Sequence, residues 1–146
     1  MELEDIKEKN YIESFEVKTI KGETIKFGDG SNKPTLLVLF TTWCSSCMEA
    51  APAISNKFSH LKGQINLVGI GREHNAEELK KWADVAGLHY DLIEDPEREL
   101  FNRFAEFHVP RIYLIATDGY VTYQDVNWHP FMLEDMEEAV NDILTK

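Results

Sequence analysis

The sequence predicts an α/β fold, a three-layer sandwich around a mixed central sheet, and three observations lead to this prediction. The continuous apolar run at residues 36–40 is typical of a strand buried on both faces beneath covering helices, and residues 65–70 are predicted to form a second apolar strand. Apolar residues recur at helical spacing between and after these runs. Alternating residues with tight turns at 15–27 and 111–126 predict hairpins on either side of the central part. The 146 residues are enough for one such domain.

The chain divides into a charged lead over residues 1–14 and a single domain over residues 15–146. The domain opens with the first hairpin, whose turn is predicted at Lys21-Gly22. The strand at 36–40 then leads into a helix that we expect to end at Gly63. Residues spaced by three or four positions form the buried stripe of this helix: Cys47, Ala51, Ile54, Phe58 and Leu61.

The second helix has clear signals at both ends. Asn75 is placed to cap it, Glu78 stands at the reciprocal capping position, and Gly87 is expected to stop it. Its buried stripe is formed by Leu79, Trp82, Ala83 and Ala86. A short strand is predicted next, over residues 89–93.

The last third of the chain begins with a predicted third helix. Asp95 followed by Pro96 is a typical helix start, a capping residue before a first-turn proline. The broad apolar face of this helix carries Leu100, Phe101, Phe104 and Phe107. A hairpin follows, with strands at 111–116 and 120–126 around a two-residue turn at 118–119. A final acidic amphipathic helix buries Leu133, Met136, Val140, Ile143 and Leu144.

Charge and composition exclude several classes of protein. The chain carries 26 acidic and 15 basic residues, a net charge of −11, which would repel a phosphate backbone, so we expect no nucleic-acid partner. We expect no membrane segment, since no apolar run is long enough, and we expect a monomer. Residues 1–10 contain no apolar export signal. The expected location is the cell envelope or periplasm if a signal or anchor has been removed, and the cytoplasm if Met1 is native.

The only two cysteines, Cys44 and Cys47, form a C-x-x-C motif at the start of the first helix. This spacing indicates redox chemistry rather than a disulfide scaffold. A thiol attacks as its thiolate, and the unpaired N–H groups at a helix start favour an anion. Cys44 lies at the loop–helix junction, so we expect it to meet a partner. Cys47 heads the buried stripe, so we expect it to be shielded and to complete the exchange.

Two other interpretations of the motif are weaker. Zinc requires four ligands, and the chain has no second C-x-x-C to complete half a site. An inert structural disulfide closing so small a loop would contribute little stability. No lysine, arginine or histidine lies within residues 41–49, so a thiolate must be stabilised by the helix terminus, by Cys47 and by groups that folding brings in.

The stretch over residues 15–52, ending LLVLFTTWCSSCMEAAP, resembles the TlpA/ResA-like branch of the thioredoxin superfamily. The resemblance continues in residues 66–71 as the next strand, in 95–109 as the family's inserted helix, and in VPRIYLI at 109–115. It implies a thioredoxin-like three-layer sandwich with a mixed central sheet, an N-terminal hairpin and an inserted helix. It also implies thiol–disulfide oxidoreductase activity.

The resemblance assigns roles to individual residues. Cys44 and Cys47 are the implied catalytic pair. Pro110 matches the family's cis-proline, and with Val109 it is expected to lie against the cysteines and offer a backbone edge to the substrate chain. The residues implied to bind substrate or shape the site are Trp43, Ser45, Ser46, Val109 and Pro110.

The sequence also departs from the family. Val38 replaces the buried acid that thioredoxins carry six residues before the first cysteine. Ala50 stands where ResA-like proteins often place a glutamate, and Glu49 is one position off and turned toward solvent. The usual proton shuttle for the second cysteine is therefore missing. The dipeptide Ser45-Ser46 lacks the proline of the most reducing thioredoxins, so we expect a higher reduction potential than theirs.

The leading hypothesis is an oxidoreductase that exchanges electrons with protein cysteines through a mixed disulfide on Cys44. The family favours reduction of selected protein disulfides, which requires an upstream electron donor. We expect no cofactor and no resident metal.

Three alternatives come from other functional classes. A copper carrier would use Cys44, Cys47 and His108, because neutral imidazole and thiolates hold copper. A thiol peroxidase is indicated by the T-x-x-C spacing of Thr41 and Cys44, although Leu37 stands where a proline is expected. A redox-silent interaction module would keep its activity without Cys44.

Overall fold

A computed structural model describes residues 11–104, 108–126 and 128–145. Residues 1–10 of the charged lead and Phe107 of the predicted third helix lie outside that part. The last residues of the lead contact the domain, because the Ile12 N–H donates to the Gly119 carbonyl and Tyr11 pairs with Tyr120. The boundary at residue 14 stays a prediction.

The described residues form strands and helices in an alternating order. In chain order they are β1 (Phe15–Lys18), β2 (Thr24–Phe27), β3 (Thr35–Phe40), α1 (Ser45–Phe58), β4 (Asn66–Arg72), α2 (Ala76–Ala86), β5 (Asp91–Asp95), α3 (Phe101–Phe104), β6 (Arg111–Ile115), β7 (Val121–Asp125) and α4 (Met132–Leu144).

The central sheet has five strands in the order β5-β4-β3-β6-β7, and β1 and β2 form a separate antiparallel hairpin. Strands β3, β4 and β5 run parallel, whereas β6 and β7 are antiparallel to their neighbours. The sheet is therefore mixed, as predicted. Strand β3 is central and buried along its whole length, which explains its continuous apolar run.

Apolar side chains cover both faces of the sheet. One cluster joins α1, α2 and α4 to alternate residues of β3, including Val38 and Phe40. The other joins the β1–β2 hairpin and α3 to the opposite residues of β3, Leu37 and Leu39. The sheet lies between these two layers, so the prediction of a three-layer α/β sandwich is confirmed.

Local sequence signals place both of the longer N-terminal helices. Cys47, Ala51, Ile54 and Phe58 of the predicted stripe are all buried. Helix α1 ends at Phe58, before the predicted Gly63, because residues Ser59–Leu61 tighten into a 3₁₀ turn. The capping box of α2 is present, and Gly87 ends that helix in the left-handed conformation at φ 67°.

The predicted helix start at Asp95-Pro96 is wrong. Asp95 is instead the last residue of β5, where it pairs with Arg72, so the strand covers residues 91–95 rather than 89–93. Arg98 then adopts a left-handed φ of 64°, which no helix through this segment allows. The third helix begins at Phe101, and within the described residues it covers Phe101–Phe104.

Asp95 still caps that helix, although from five and six residues away. Its buried carboxylate accepts the backbone N–H groups of Leu100 at 3.0 Å and Phe101 at 2.8 Å. We expect Asp95→Ala to lower the free energy of unfolding by about 2–3 kcal/mol, because both N–H groups lose their acceptor. Urea unfolding measures this. Asp84→Ala, at an exposed position of α2, is the control, and an equal effect in both variants would contradict the capping role.

Strand direction gathers three segments at one edge of the sheet. The parallel register pairs Phe40 with Gly71, so β3 and β4 end side by side. The antiparallel register pairs Leu39 with Arg111, so β6 starts at the same edge. The loop before α1, the residues after β4 and the Val109–Pro110 segment therefore meet there.

Candidate active site

Cys44 lies at the N-cap of α1, the residue immediately before the first helical position. Its sulfur accepts the backbone N–H of Cys47 at a distance of 3.2 Å. An N-cap atom normally receives one of the unpaired N–H groups of the first turn, and a negative charge there is favoured by the helix dipole. The thiol of Cys44 is partly exposed at this position, so a partner can reach its sulfur.

Cys47 has a different environment. It is fully buried on the stripe of α1 that faces the sheet, and both cysteines are free thiols. Burial, with a smaller contribution from the hydrogen bond to Cys44, raises the pKa of Cys47 well above its ordinary value. A backbone hydrogen bond from Thr41 and the charge of Arg72 act in the opposite direction on this pKa. Cys47 is therefore a shielded thiol that resists deprotonation, and it lies beside the accessible sulfur of Cys44.

The segment before β6 lies against the motif. The Cys44 thiol donates to the Val109 carbonyl, with 3.7 Å between sulfur and oxygen. The Val109–Pro110 peptide bond is cis, as expected from the resemblance. Val109 is half-buried and Pro110 is buried, so the structure brings both residues to the cysteines.

The rim of the site is formed by exposed residues around Cys44. Trp43 leaves 61% of its surface exposed, and its ring centroid lies 4.9 Å from that of His74. Ser45 and Ser46 are exposed in the first turn of α1. All the residues implied to shape the site are thus near the motif, and their roles in substrate binding stay predictions.

His74 supports the loop that precedes Cys44. Its imidazole is 2% exposed, and Nε2 accepts the backbone N–H of Thr42 at 2.9 Å. Nδ1 lies 3.6 Å from the Glu78 carboxylate, at the capping box of α2. Because Nε2 is an acceptor, the proton of the neutral ring is on Nδ1. Burial lowers the pKa of His74, and the nearby carboxylates only partly offset this effect.

The buried imidazole makes stability depend on pH. The unfolded chain protonates this histidine near its ordinary pKa of 6.5, whereas the folded protein resists until a lower pH. The unfolded state thus binds more protons in this window, so the free energy of unfolding falls as pH falls below about 6.5.

We expect His74→Gln, which keeps an acceptor for Thr42, to flatten this dependence. Urea unfolding between about pH 7.5 and about pH 5 measures it. His60→Gln, at an exposed position, is the control and should keep the wild-type slope. The same slope in the His74 variant and the wild type would contradict this account.

The sequence interpretation missed Arg72 and His74 as part of the site. Arg72 is the last residue of β4 and His74 follows two positions later, so both lie at the carboxyl end of a parallel strand, where sites in α/β folds gather. Polar residues directly after a buried apolar run are the signal that could have found them. Arg72 is 6% exposed, and its charge partly offsets the burial that raises the pKa of Cys47.

The positions of several other side chains bear on the expected acid and metal sites. Val38 and Ala50 are fully buried and Glu49 is exposed, so none of these positions provides a buried acid. Within the described parts of the chain, no three histidine, cysteine or acidic side chains are grouped closely enough to hold a metal ion. His108 is exposed, and it does not complete the copper site that the carrier alternative requires.

Comparison with known proteins places the chain in a family. The sequence model of the AhpC/TSA family matches residues 9–124, most of the chain. The chain belongs to the AhpC/TSA family. A similar protein is a thioredoxin-like protein of Haemophilus influenzae. It is 26% identical to this chain over 131 residues, which cover 84% of this chain and 77% of the relative.

A second relative and one solved structure are named for their chemistry. The thiol:disulfide interchange protein DsbE of Haemophilus influenzae is 27% identical over 123 residues, which cover 82% of this AhpC/TSA chain and 64% of the relative. The crystal structure of a thioredoxin-family thiol:disulfide interchange protein from Chlorobium tepidum superposes with a TM-score of 0.74 at 20% identity, and covers 94% of this chain and 98% of that one. The fold is thioredoxin-like, and the resemblance seen in the sequence is confirmed.

Proposed function

We propose that the protein is a thiol–disulfide oxidoreductase that exchanges two electrons with cysteines of other proteins. The observation that carries the proposal is the unequal pair of sulfurs. Cys44 is an accessible N-cap thiol, and Cys47 is a buried thiol whose N–H contacts the Cys44 sulfur. The interchange activity in the names of relatives supports the same chemistry.

The reaction follows from this geometry in two steps. The Cys44 thiolate attacks one sulfur of a substrate disulfide, forms a mixed disulfide and releases one substrate thiolate. Cys47 then loses its proton and attacks the Cys44 sulfur, which releases the second substrate thiolate and leaves a Cys44–Cys47 disulfide. The substrate gains two electrons, and the two cysteines lose them. An upstream dithiol donor must reduce Cys44 and Cys47 for the next cycle.

The surface around Cys44 is suited to an extended polypeptide. Trp43 offers an exposed ring, and the cis-bonded Val109–Pro110 segment borders the sulfur. A substrate chain that lies along this segment would bring its disulfide to Cys44. The proposed partners are therefore protein disulfides. We also propose that a protein dithiol is the electron donor and that the protein is a monomer.

The location that suits this activity is the cell envelope. Disulfide substrates form and persist in oxidising compartments and are rare in the cytosol. Within the described residues, no helix has the length and apolar character to cross a bilayer. Fractionation of cells that produce the full-length protein tests the location.

The reduction of insulin disulfides, with dithiothreitol as the electron source, tests the proposed activity. We expect the protein to accelerate the reaction above the dithiothreitol background and to require both cysteines. A rate equal to that of the double variant Cys44→Ser, Cys47→Ser would reject the proposal.

A thiol peroxidase is the second candidate, favoured by membership of the AhpC/TSA family and by Thr41 three residues before Cys44. In this reaction the Cys44 thiolate attacks one oxygen of hydrogen peroxide and becomes a sulfenic acid, while the other oxygen leaves and takes up a proton from solvent to form water. Cys47 then displaces a second water and closes the disulfide. Peroxide consumption that depends on Cys44 and exceeds the rate of insulin reduction would favour this candidate.

A further inference from the structure

An exposed aromatic side chain at the rim of the candidate active site rests against a buried histidine. Trp43 lies in the turn between β3 and α1, directly before Cys44, and 61% of its surface is exposed. An exposed side chain in a turn can adopt several rotamers unless a neighbour restricts it. The Trp43 ring centroid is 4.9 Å from that of His74, with 49° between the ring planes, a spacing typical of tilted aromatic pairs. His74 therefore supports the ring from the protein side.

The His74 ring can support Trp43 because it is itself fixed. The side chain is 2% exposed, and its Nδ1 lies 3.6 Å from the Glu78 carboxylate of α2. The His74 N–H donates to the Gly71 carbonyl at the end of β4, and the His74 carbonyl accepts the Asp95 N–H at the end of β5, both at 3.1 Å. The histidine is thus anchored to two strands and one helix, and such elements place a side chain more precisely than a loop does.

A second contact holds the main chain beside the tryptophan. Nε2 of His74 accepts the Thr42 N–H at 2.9 Å, so one imidazole fixes both the backbone that leads into Trp43 and the ring of Trp43. A side chain that is held in place before binding loses less conformational entropy when a partner covers it, which increases affinity. The arrangement therefore prepares the Trp43 ring for contact with a partner.

We propose that His74 is a positioning residue for substrate binding, which holds the Trp43 ring beside Cys44 as a preformed surface for the polypeptide that carries the substrate disulfide. The inference rests on the proposed disulfide exchange and concerns its substrate side. His74 acts through Trp43 rather than on the reacting sulfurs. Its loss should therefore weaken the binding of a protein substrate and leave the chemical step at Cys44 almost unchanged.

The test is the steady-state reduction of insulin by the full-length protein, with excess dithiothreitol as the electron source. We expect His74→Leu, which removes both the acceptor and the ring, to raise KM for insulin about five- to tenfold with kcat within about twofold of the wild type. His74→Gln keeps an acceptor for Thr42 and removes the ring, so KM should rise only about threefold. Hydroxyethyl disulfide is too small to cover Trp43, so both variants should reduce it within about twofold of the wild-type rate.

A double-mutant cycle with Trp43→Ala separates positioning from a general structural role. Trp43→Ala should itself raise KM for insulin about tenfold, and in that background the two His74 variants should change KM less than about 1.5-fold. Ile115→Ala is the control for lost stability, because Ile115 is buried and pairs with Thr35 at the opposite end of the sheet. It should leave KM within about twofold of the wild type.

Several results would overturn the inference. One is a wild-type KM in the folded His74→Leu protein or in Trp43→Ala, and another is an equal effect of the His74 variants with and without Trp43. An equal loss of kcat on insulin and on hydroxyethyl disulfide would place the role of His74 at Cys44 instead. If His74→Leu does not fold, the KM of His74→Gln in the two backgrounds decides. A wild-type protein that reduces neither substrate would instead reject the proposed function.

Discussion

Replacing Cys44 by serine is expected to reduce the rate of insulin reduction by at least about 10³-fold, because a serine hydroxyl cannot replace the attacking thiolate. Cys47 cannot take over the attack, since its side chain is fully buried. The rate above the dithiothreitol background measures the effect. Ser14→Ala, at an exposed position ahead of β1, is the control and should leave the rate unchanged.

Replacing Cys47 by serine is expected to have a different consequence. Cys44 should still attack, but the mixed disulfide should persist because no second thiol resolves it. Burial raises the pKa of Cys47, so the lone Cys47 of the Cys44→Ser variant should react with iodoacetamide at least about tenfold more slowly than the lone Cys44. Equal alkylation rates for the lone Cys47 and the lone Cys44 would show that the roles assigned to the two sulfurs are wrong.

The largest loss of stability is expected from Phe40→Ala. Phe40 is fully buried at the end of β3, and its ring centroid lies 4.5 Å from that of Trp82 in α2. Removing the ring leaves a cavity between the sheet and the helices, which we expect to lower the free energy of unfolding by about 3–5 kcal/mol. Thermal or urea unfolding measures this loss.

The control for Phe40→Ala is another phenylalanine. Phe131 is 75% exposed just before α4, where its ring stacks on His129. We expect Phe131→Ala to change the free energy of unfolding by less than about 0.5 kcal/mol. Comparable losses in the two variants would mean that the core cluster around β3 is misassigned.

The parts of the fold that the sequence predicted correctly depend on nearby residues. The capping box of Asn75 and Glu78 is completed within three positions, and the stripe of α1 repeats every three or four. The continuous apolar run of β3 indicates that this strand is central in the sheet. These features could be predicted because each one forms within its own segment or requires only burial.

The parts that were missed depend on pairing between distant segments. Asp95 extends β5 because Arg72 of β4 pairs with it, and the Asp95 carbonyl accepts the Glu73 N–H. That pairing outweighs the local helix-start signal of Asp95-Pro96. Arg72 and His74 are likewise about thirty positions from the cysteines, and only the register of β3 against β4 brings them to the motif.

The most direct test of the central claim is a redox titration of the full-length protein, quenched with acid and analysed by mass after thiol alkylation. We expect one reversible two-electron transition in which Cys44 and Cys47 become a disulfide together. We expect a potential above the value of about −270 mV that is typical of thioredoxin. A protein that keeps two free thiols across the whole titration, or that only gains a glutathione on Cys44, would contradict it.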